Sequence, residues 1–446
     1  MSQAQTKGET KARSSFKLGP RDQLNDLRMS EKAIPLYEKV SSFIDEVVNP
    51  MSAEFERLGH NRPDIWQYAP GQLETLEKAK DKAKAAGLWN FFLPDAETGE
   101  GLSNLDYAYI AVELGKNRMA SEVMNCSAPD TGNMEVLERV GTPAQKEKWL
   151  KPLLEGKIRS AFCMTELNSA SSDARNVNTR AVRVGDEYII NGEKHYISGA
   201  GDPRCKVMIT MVRTDENAPG HLQQSQILVP MDTPGLEIIG GQQVFGDPDA
   251  PHGHMHLRFN NARVPAENIL LGEGRGFEIS QLRLGPGRIH HCMRAIGSAE
   301  KALDLLVNRG MTRTAFGKPL VQLGGNLAII SKARIDIEAM RLMVLKAARA
   351  MDVLGNREAR VWIHMVKAMV PVRVCEIIDQ AIQMHGALGV SQHTPLARMY
   401  ASTRTLRIAD GPDEVHHMVV GRNELQQHRD TPPVDDGGAS AAVFRN

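Results

Sequence analysis

The chain has 446 residues, 41% of them hydrophobic, enough to bury several cores and by size to hold two or three domains. Lys+Arg and Asp+Glu number 54 each, a balance without the basic footprint of a dedicated nucleic-acid binder. The five cysteines are dispersed with no CxxC pair, which points away from a disulfide framework and toward a reducing compartment; no apolar run approaches the ~18 residues of a membrane span.

Residues 1–30 are polar and aperiodic and read as a disordered tail. The basic residues there carry no amphipathic pattern and no secretory apolar core, and the C-terminal Phe444-Arg445-Asn446 is not a peroxisomal address. The expected location is the cytoplasm in a bacterium, with the mitochondrial matrix or peroxisome open in a eukaryote. Residues 31–157 read as helical. Ala79, Ala83 and Ala86, then Val136 with Val140, fall at helical spacings, and Gly87, Pro94, Gly99 and Gly101 divide the region. Residues 158–275 turn to β texture. Gly185-Asp186 and Asn191-Gly192 are hairpin signals, followed by the strand-like runs KVMITMV, QILVP and HMHLRF. Helical periodicity returns over 276–430, where Ile330, Ile337, Val344 and Met351 recur every seven residues with Ala333, Met340 and Ala347 between them. Residues 431–446 read as a second tail. The fold class is multidomain: an N-terminal α-helical domain, a middle β-barrel or β-sandwich domain and a C-terminal four-helix bundle.

Five stretches carry candidate chemistry. GEGRGF (272–277) holds a GxGxG but leads into a bundle, so it reads as a linker and not as a dinucleotide fingerprint. His252, His254 and His256 alternate, yet no nearby cysteine or carboxylate completes a metal site, and none is assigned. The adjacent pairs His290-His291 and His416-His417 point apart on a helix and suit surface or packing roles. TELNSASSDA (165–174) offers hydroxyls and backbone N–H groups that can cradle an anion, and INGEKHYISGAG (190–201) puts Tyr196 and Ser198 on one strand face just downstream. RTAFGKPL (313–320) supplies a cation and an aromatic ring about a glycine turn. RIADGPDEVHH (407–417) holds three carboxylates, Asp410, Asp413 and Glu414, with Asp413 placed to cap the helix that follows.

In order, CMTE…SSD, INGEK.YIS, RTAFGKPL and QMHGALG with the acidic turn about twenty residues on resemble the flavin-dependent acyl-CoA dehydrogenase family over about residues 35–428. The turn ADGPDEVH is closest to the branch of acyl-CoA dehydrogenase family members 10 and 11. The resemblance implies FAD between the β domain and the bundle. Met164 and Thr165 would meet the isoalloxazine, Tyr196 would flank it, Ser198 would bond its N5, and Ser171 or Ser172 the pyrophosphate. From a second subunit, Arg313 and Phe316 would grip the adenine half while Gln383, Gly386 and Ala387 line the pyrophosphate, so a homodimer or homotetramer is implied. Asp410 matches the catalytic base that takes the α-proton of a fatty acyl-CoA while hydride passes to flavin N5, giving trans-2-enoyl-CoA and feeding an electron-transferring flavoprotein. Gly411 lets backbone approach flavin and thioester, Glu414 supports the flavin, and Arg288 lies beside the CoA pantetheine.

Three departures stand out. Asp410 is one methylene shorter than the usual Glu, about 1.5 Å of reach. Gly324 replaces a common flavin-contacting Gln, and Ala387 replaces a Gly. The aspartate also keeps two rivals in view, nitroalkane oxidase and acyl-CoA oxidase of the same superfamily, both of which hand electrons to O2.

Overall fold

A computed structural model describes residues 21–94 and 99–429. Most of the tail expected at 1–30, and all of that at 431–446, lies outside them. The rest of the first tail is ordered: Arg21–Asn25 is a helix, Leu24 is buried, and Arg349 donates to the Gln23 carbonyl at 2.8 Å. One leucine docks the segment, a signal too sparse to register as periodicity.

The N-terminal helices run from Ile34–Phe43 through a π-helical turn into Asn49–Leu58, then Gln72–Ala85, Asn104–Gly115 and Asp130–Val140. Ala79 and Ala83 are buried, as their spacing requires. Ser103 starts the central helix by accepting from the Asp106 N–H at 3.0 Å. That helix crosses Gly276–Thr312 of the bundle at a place only glycine permits. A β-carbon at Gly115 would stand 2.0 Å from the Arg294 carbonyl oxygen, and one at Gly297 2.0 Å from that of Val112. N- and C-terminal helices therefore share one apolar core.

The middle domain is one curled seven-stranded sheet with its own small core. Its strands are β1 (Arg159–Cys163), β2 (Arg180–Val184), β3 (Glu187–Ser198), β4 (Cys205–Arg213), β5 (Gln224–Pro230), β6 (Leu236–Gly241) and β7 (His254–Pro265). The order is β1-β4-β2-β3-β7-β6, with β5 on β4; β1 runs parallel to β4 and β3 antiparallel to β7. Gly185-Asp186 turns β2 into β3 as expected. Asn191-Gly192 is not a turn. It lies inside β3 at a break in the β3–β7 register, where φ is +144° and a β-carbon on Gly192 would meet the Thr179 Cα at 2.7 Å. The glycine there serves a close approach between chain segments, which local sequence cannot distinguish from a hairpin.

The C-terminal bundle comprises Gly276–Thr312, Asn326–Glu358, Arg360–His385 and Asp413–His428, with the shorter Leu396–Thr405 before the last. The heptad seam holds: Ala333, Ile337, Met340, Val344, Ala347 and Met351 are buried. A hairpin, Thr314–Ala315 with Lys318–Pro319, joins the first two helices. No helix among the described residues is long and apolar enough to cross a membrane.

Gly115→Ala is expected to destabilise the fold by about 1–3 kcal/mol, the range for overpacking a close contact. Urea unfolding measures it, and a loss under about 0.5 kcal/mol would contradict so tight a crossing.

Candidate active site

Asp410 sits on the turn between Leu396–Thr405 and Asp413–His428. Its φ is +57° and that of Gly411 is +105°. Glycine adopts such angles freely; an aspartate does so at a cost of about 1–3 kcal/mol, so the surroundings must over-determine it. Three contacts do. Arg288 Nε donates to the Asp410 carbonyl at 2.9 Å, and a ring nitrogen of His416 lies 2.9 Å from the Gly411 carbonyl. Asp413 takes Arg407 as an ion partner at 2.7 Å, while its own N–H donates to the Arg407 carbonyl at 3.1 Å.

These contacts correct one expectation. Asp413 does not cap the helix: Pro412 holds the N-cap position without a side-chain bond, and Asp413 is buried one residue on, locked to Arg407. Arg288, expected beside pantetheine, spends Nε on the turn itself. Glu414 is exposed, while His416 is wholly buried and His417 exposed.

The Asp410 carboxylate enters a cavity of about 20 Å³ walled by Pro129, Thr131, Gly287, His290, His291 and Arg294. His291 Nε2 is 3.5 Å from Asp410 Oδ2, and Arg294 lies 3.3 Å from the other nitrogen of that ring. Burial holds His290 far below the usual imidazole range, so it stays neutral.

The second group of residues stands on β3 and β7 and on the loop that follows β1. Lys194, fully buried on β3, donates to Glu166 Oε1 and to the Met164 carbonyl, both at 2.9 Å. Glu166 also accepts the N–H groups of Asn178 (2.7 Å) and Thr179 (2.8 Å). Burial alone would raise its pKa, but Lys194 and these donors outweigh burial and hold it below the usual value. The pair thus pins the backbone of Met164 and Thr165, leaving the Thr165 side chain exposed. Ser171 turns inward to accept from the Glu166 N–H at 2.9 Å, whereas Ser172 is exposed. Tyr196, with φ of +59°, lies flat on the His254 ring at 4.3 Å, and Ser198 Oγ is 2.8 Å from His254 Nδ1. Burial pushes His254 down to about 4, so it is neutral, and with Asp249 3.8 Å from Nε2 we assign the proton there. Nδ1 then accepts from the Ser198 hydroxyl. His256 pairs instead with Glu193 at 2.9 Å. Glu166, Lys194 and His254 were missed as positioning residues. A lysine on the apolar face of a strand, in phase with Tyr188 and Ile190, was the available signal.

Both groups meet the same stretch of N-terminal chain. Gly199, next to Ser198, is so close to Pro129 that a β-carbon would lie 3.5 Å from its ring, and Pro129 also walls the Asp410 cavity.

A third group stays apart. Arg313 is exposed, Phe316 is 95% exposed at the hairpin tip, and Gln383, Gly386 and Ala387 are exposed at the end of Arg360–His385. The two stretches share one end of the bundle, because Gly310 lies against both Val321 and Met384. Arg288 and Arg313 are about 25 residues apart on and just past one helix, or about 37 Å at about 1.5 Å per residue. One chain does not bring this group to Asp410.

Family models for the N-terminal, middle and C-terminal domains of acyl-CoA dehydrogenase match residues 30–157, 161–261 and 274–425. The chain is 52% identical over 396 residues to acyl-CoA dehydrogenase family member 10 of Mus musculus, covering 88% of this chain but 37% of that protein. It is 50% identical over 407 residues to "Probable acyl-CoA dehydrogenase FadE2" of Mycobacterium tuberculosis, covering 91% of this chain and 98% of that one. A solved structure from Mycobacterium abscessus superposes with a TM-score of 0.86 at 49% identity, covering 90% of this chain and all of that one. With three domain matches in sequence order and a relative 50% identical along nearly its whole length, the chain belongs to the acyl-CoA dehydrogenase family.

Proposed function

We propose that the protein is an FAD-dependent dehydrogenase that converts a fatty acyl-CoA to its trans-2-enoyl-CoA, with Asp410 removing the α-proton. The observation that carries this reading is the Asp410 carboxylate, fixed on a left-handed turn and facing a cavity whose Pro129 wall also packs beside Ser198 on β3.

An α-proton of a thioester is too weakly acidic for a free carboxylate to remove at useful rate; donors at the carbonyl oxygen lower that barrier by stabilising the developing negative charge. Asp410 brings the base, and its backbone N–H and Gly411 provide a close approach for that carbonyl. FAD, when bound, supplies the acceptor for the hydride leaving Cβ. The residues present fit that cofactor. Thr165 offers an exposed hydroxyl on backbone that Lys194 anchors, Tyr196 an aromatic ring, and Ser198 an oxygen whose proton is engaged by His254. Arg313 and the bare ring of Phe316 suit the adenine half of a cofactor held by a neighbouring copy, which supports a homodimer or homotetramer. The electron acceptor we propose is an electron-transferring flavoprotein. All five cysteines are buried free thiols, which suits a reducing compartment such as a bacterial cytoplasm.

The aspartate favours one second reading, an oxidase of the same superfamily. Wild-type protein is expected to lose its yellow colour when an acyl-CoA panel from butanoyl to palmitoyl is added without oxygen, and Asp410→Asn to keep both its FAD and its colour. Bleaching of Asp410→Asn at the wild-type rate would remove the residue from its role, and rapid H2O2 release by wild-type protein in air would select the oxidase. Arg313→Ala is expected to lower FAD content and oligomer size together, seen by absorbance and light scattering; retention of both would refute a shared site. Lys194→Met leaves Glu166 buried without its counter-charge and is expected to cost roughly 3–5 kcal/mol in urea unfolding, with part recovered by adding Glu166→Gln.

A further inference from the structure

Two buried histidines are used by nothing in the reaction described so far. His416 is wholly buried and His364 nearly so. Their Nδ1 atoms are 2.9 Å apart, and His416 Nε2 is 2.9 Å from the Gly411 carbonyl oxygen. These two distances fix where the protons are. A carbonyl only accepts, so His416 carries a proton on Nε2. A neutral His416 then has a bare Nδ1, and the proton between the rings belongs to His364 Nδ1. Burial, helped by the nearby cations Lys367 and Arg288, pushes both rings down to about 3, so both are neutral and the chain His364→His416→Gly411 is intact at ordinary pH.

The chain ends on the carbonyl of the residue after the base. Arg288 holds the Asp410 carbonyl and His416 the next one, so the peptide units on both sides of Gly411 are tied, each from a different helix. Gly411 also lies against the imidazole: a β-carbon there would be 3.2 Å from His416 Nε2. Both residues of this pair have left-handed φ, which an aspartate does not hold unaided.

We propose that His416, oriented by His364, is a positioning residue for the reaction: through the Gly411 carbonyl it holds the Asp410 carboxylate at the angle and depth that α-proton removal needs. The inference rests on the reading of Asp410 as the base. A misplacement of about 1 Å at a reacting group costs on the order of 10²-fold, so loss of this tie is read as rate, not as binding.

The test is anaerobic stopped-flow reduction of the holoenzyme by the best reductant among butanoyl-, octanoyl- and palmitoyl-CoA, unlabelled and α-deuteriated. His416→Phe is expected to slow the limiting reduction rate about 10- to 100-fold. FAD content and the acyl-CoA dissociation constant stay near wild type, and the α-deuterium isotope effect rises as proton removal becomes more limiting. His416→Gln, which restores an N–H toward Gly411, recovers most of the rate; His364→Phe, which removes only the orienting ring, gives a smaller loss with the same isotope signature. Wild-type rate and isotope effect in His416→Phe would overturn the proposal. So would a loss in which FAD content and acyl-CoA affinity fall in parallel with rate and Gln restores none of them, since that is a packing role alone. Asp410→Asn separates the two readings: if it reduces flavin normally, the base assignment fails, whereas an inert Asp410→Asn beside an unaffected His416→Phe defeats only the positioning role.

Discussion

The arrangement of the site depends on a buried cluster of charges centred on Arg159. This first residue of β1 gives Nε to Asp130 at 2.7 Å, a second nitrogen to Glu122, and a third to the Ser127 hydroxyl at 2.9 Å. Arg204 takes the other Glu122 oxygen and Asp202, both at 2.7 Å, and Tyr68 donates to Asp202 at 2.8 Å. Burial opposes the charge on Arg159 and Glu122, but the partners outweigh it, and both remain ionised. Such a cluster adds little net stability compared with apolar packing, and breaking any one member is costly. What it gives here is register. Asp130 also accepts the N–H and hydroxyl of Ser160, each at 2.7 Å, so the start of its helix is tied to β1. That start carries Pro129, Thr131 and Gly132, the wall that faces Asp410. The residues on β3 and the acidic turn belong to different domains, and this wall lies between them.

The second constraint is the turn. Two consecutive left-handed residues form no regular element, so nothing in the backbone ladder holds them. Side chains from elsewhere hold them instead: Arg288 from the first bundle helix, Arg407 from the approach, His416 from the exit helix and His364 behind it. A carboxylate carried on such a turn has few degrees of freedom left, which suits a group that must meet one C–H bond.

Much of the frame was legible because it is periodic. The heptad seam from Ile330 to Met351 and the strand-like runs KVMITMV, QILVP and HMHLRF are one-dimensional signals, and they locate the helical and β regions. What was hidden depended on contacts distant in sequence. Asn191-Gly192 has the composition of a turn, and only Thr179, brought alongside by the fold, explains the glycine. Asp413 has the composition of a cap, and only Arg407, folded back by the turn, explains its burial. Lys194 carries a legible signal within INGEK, since a lysine in phase with apolar strand residues demands a buried carboxylate. His416 and His417 are adjacent yet face opposite environments, which adjacency alone does not show.

The short acid on the turn has a consequence for how this chain can vary. Asp410 Oδ2 lies 3.5 Å from His291 Nε2 and 3.5 Å from where a β-carbon on Gly287 would stand. The space that a longer acid would use is therefore already bounded by the opposite helix. A longer acid at 410 would have to displace the imidazole at 291, and a β-carbon at 287 would narrow the same space further. The length of the acid is thus matched to two neighbouring positions on one facing helix, 287 and 291, that lie more than a hundred residues earlier in the sequence.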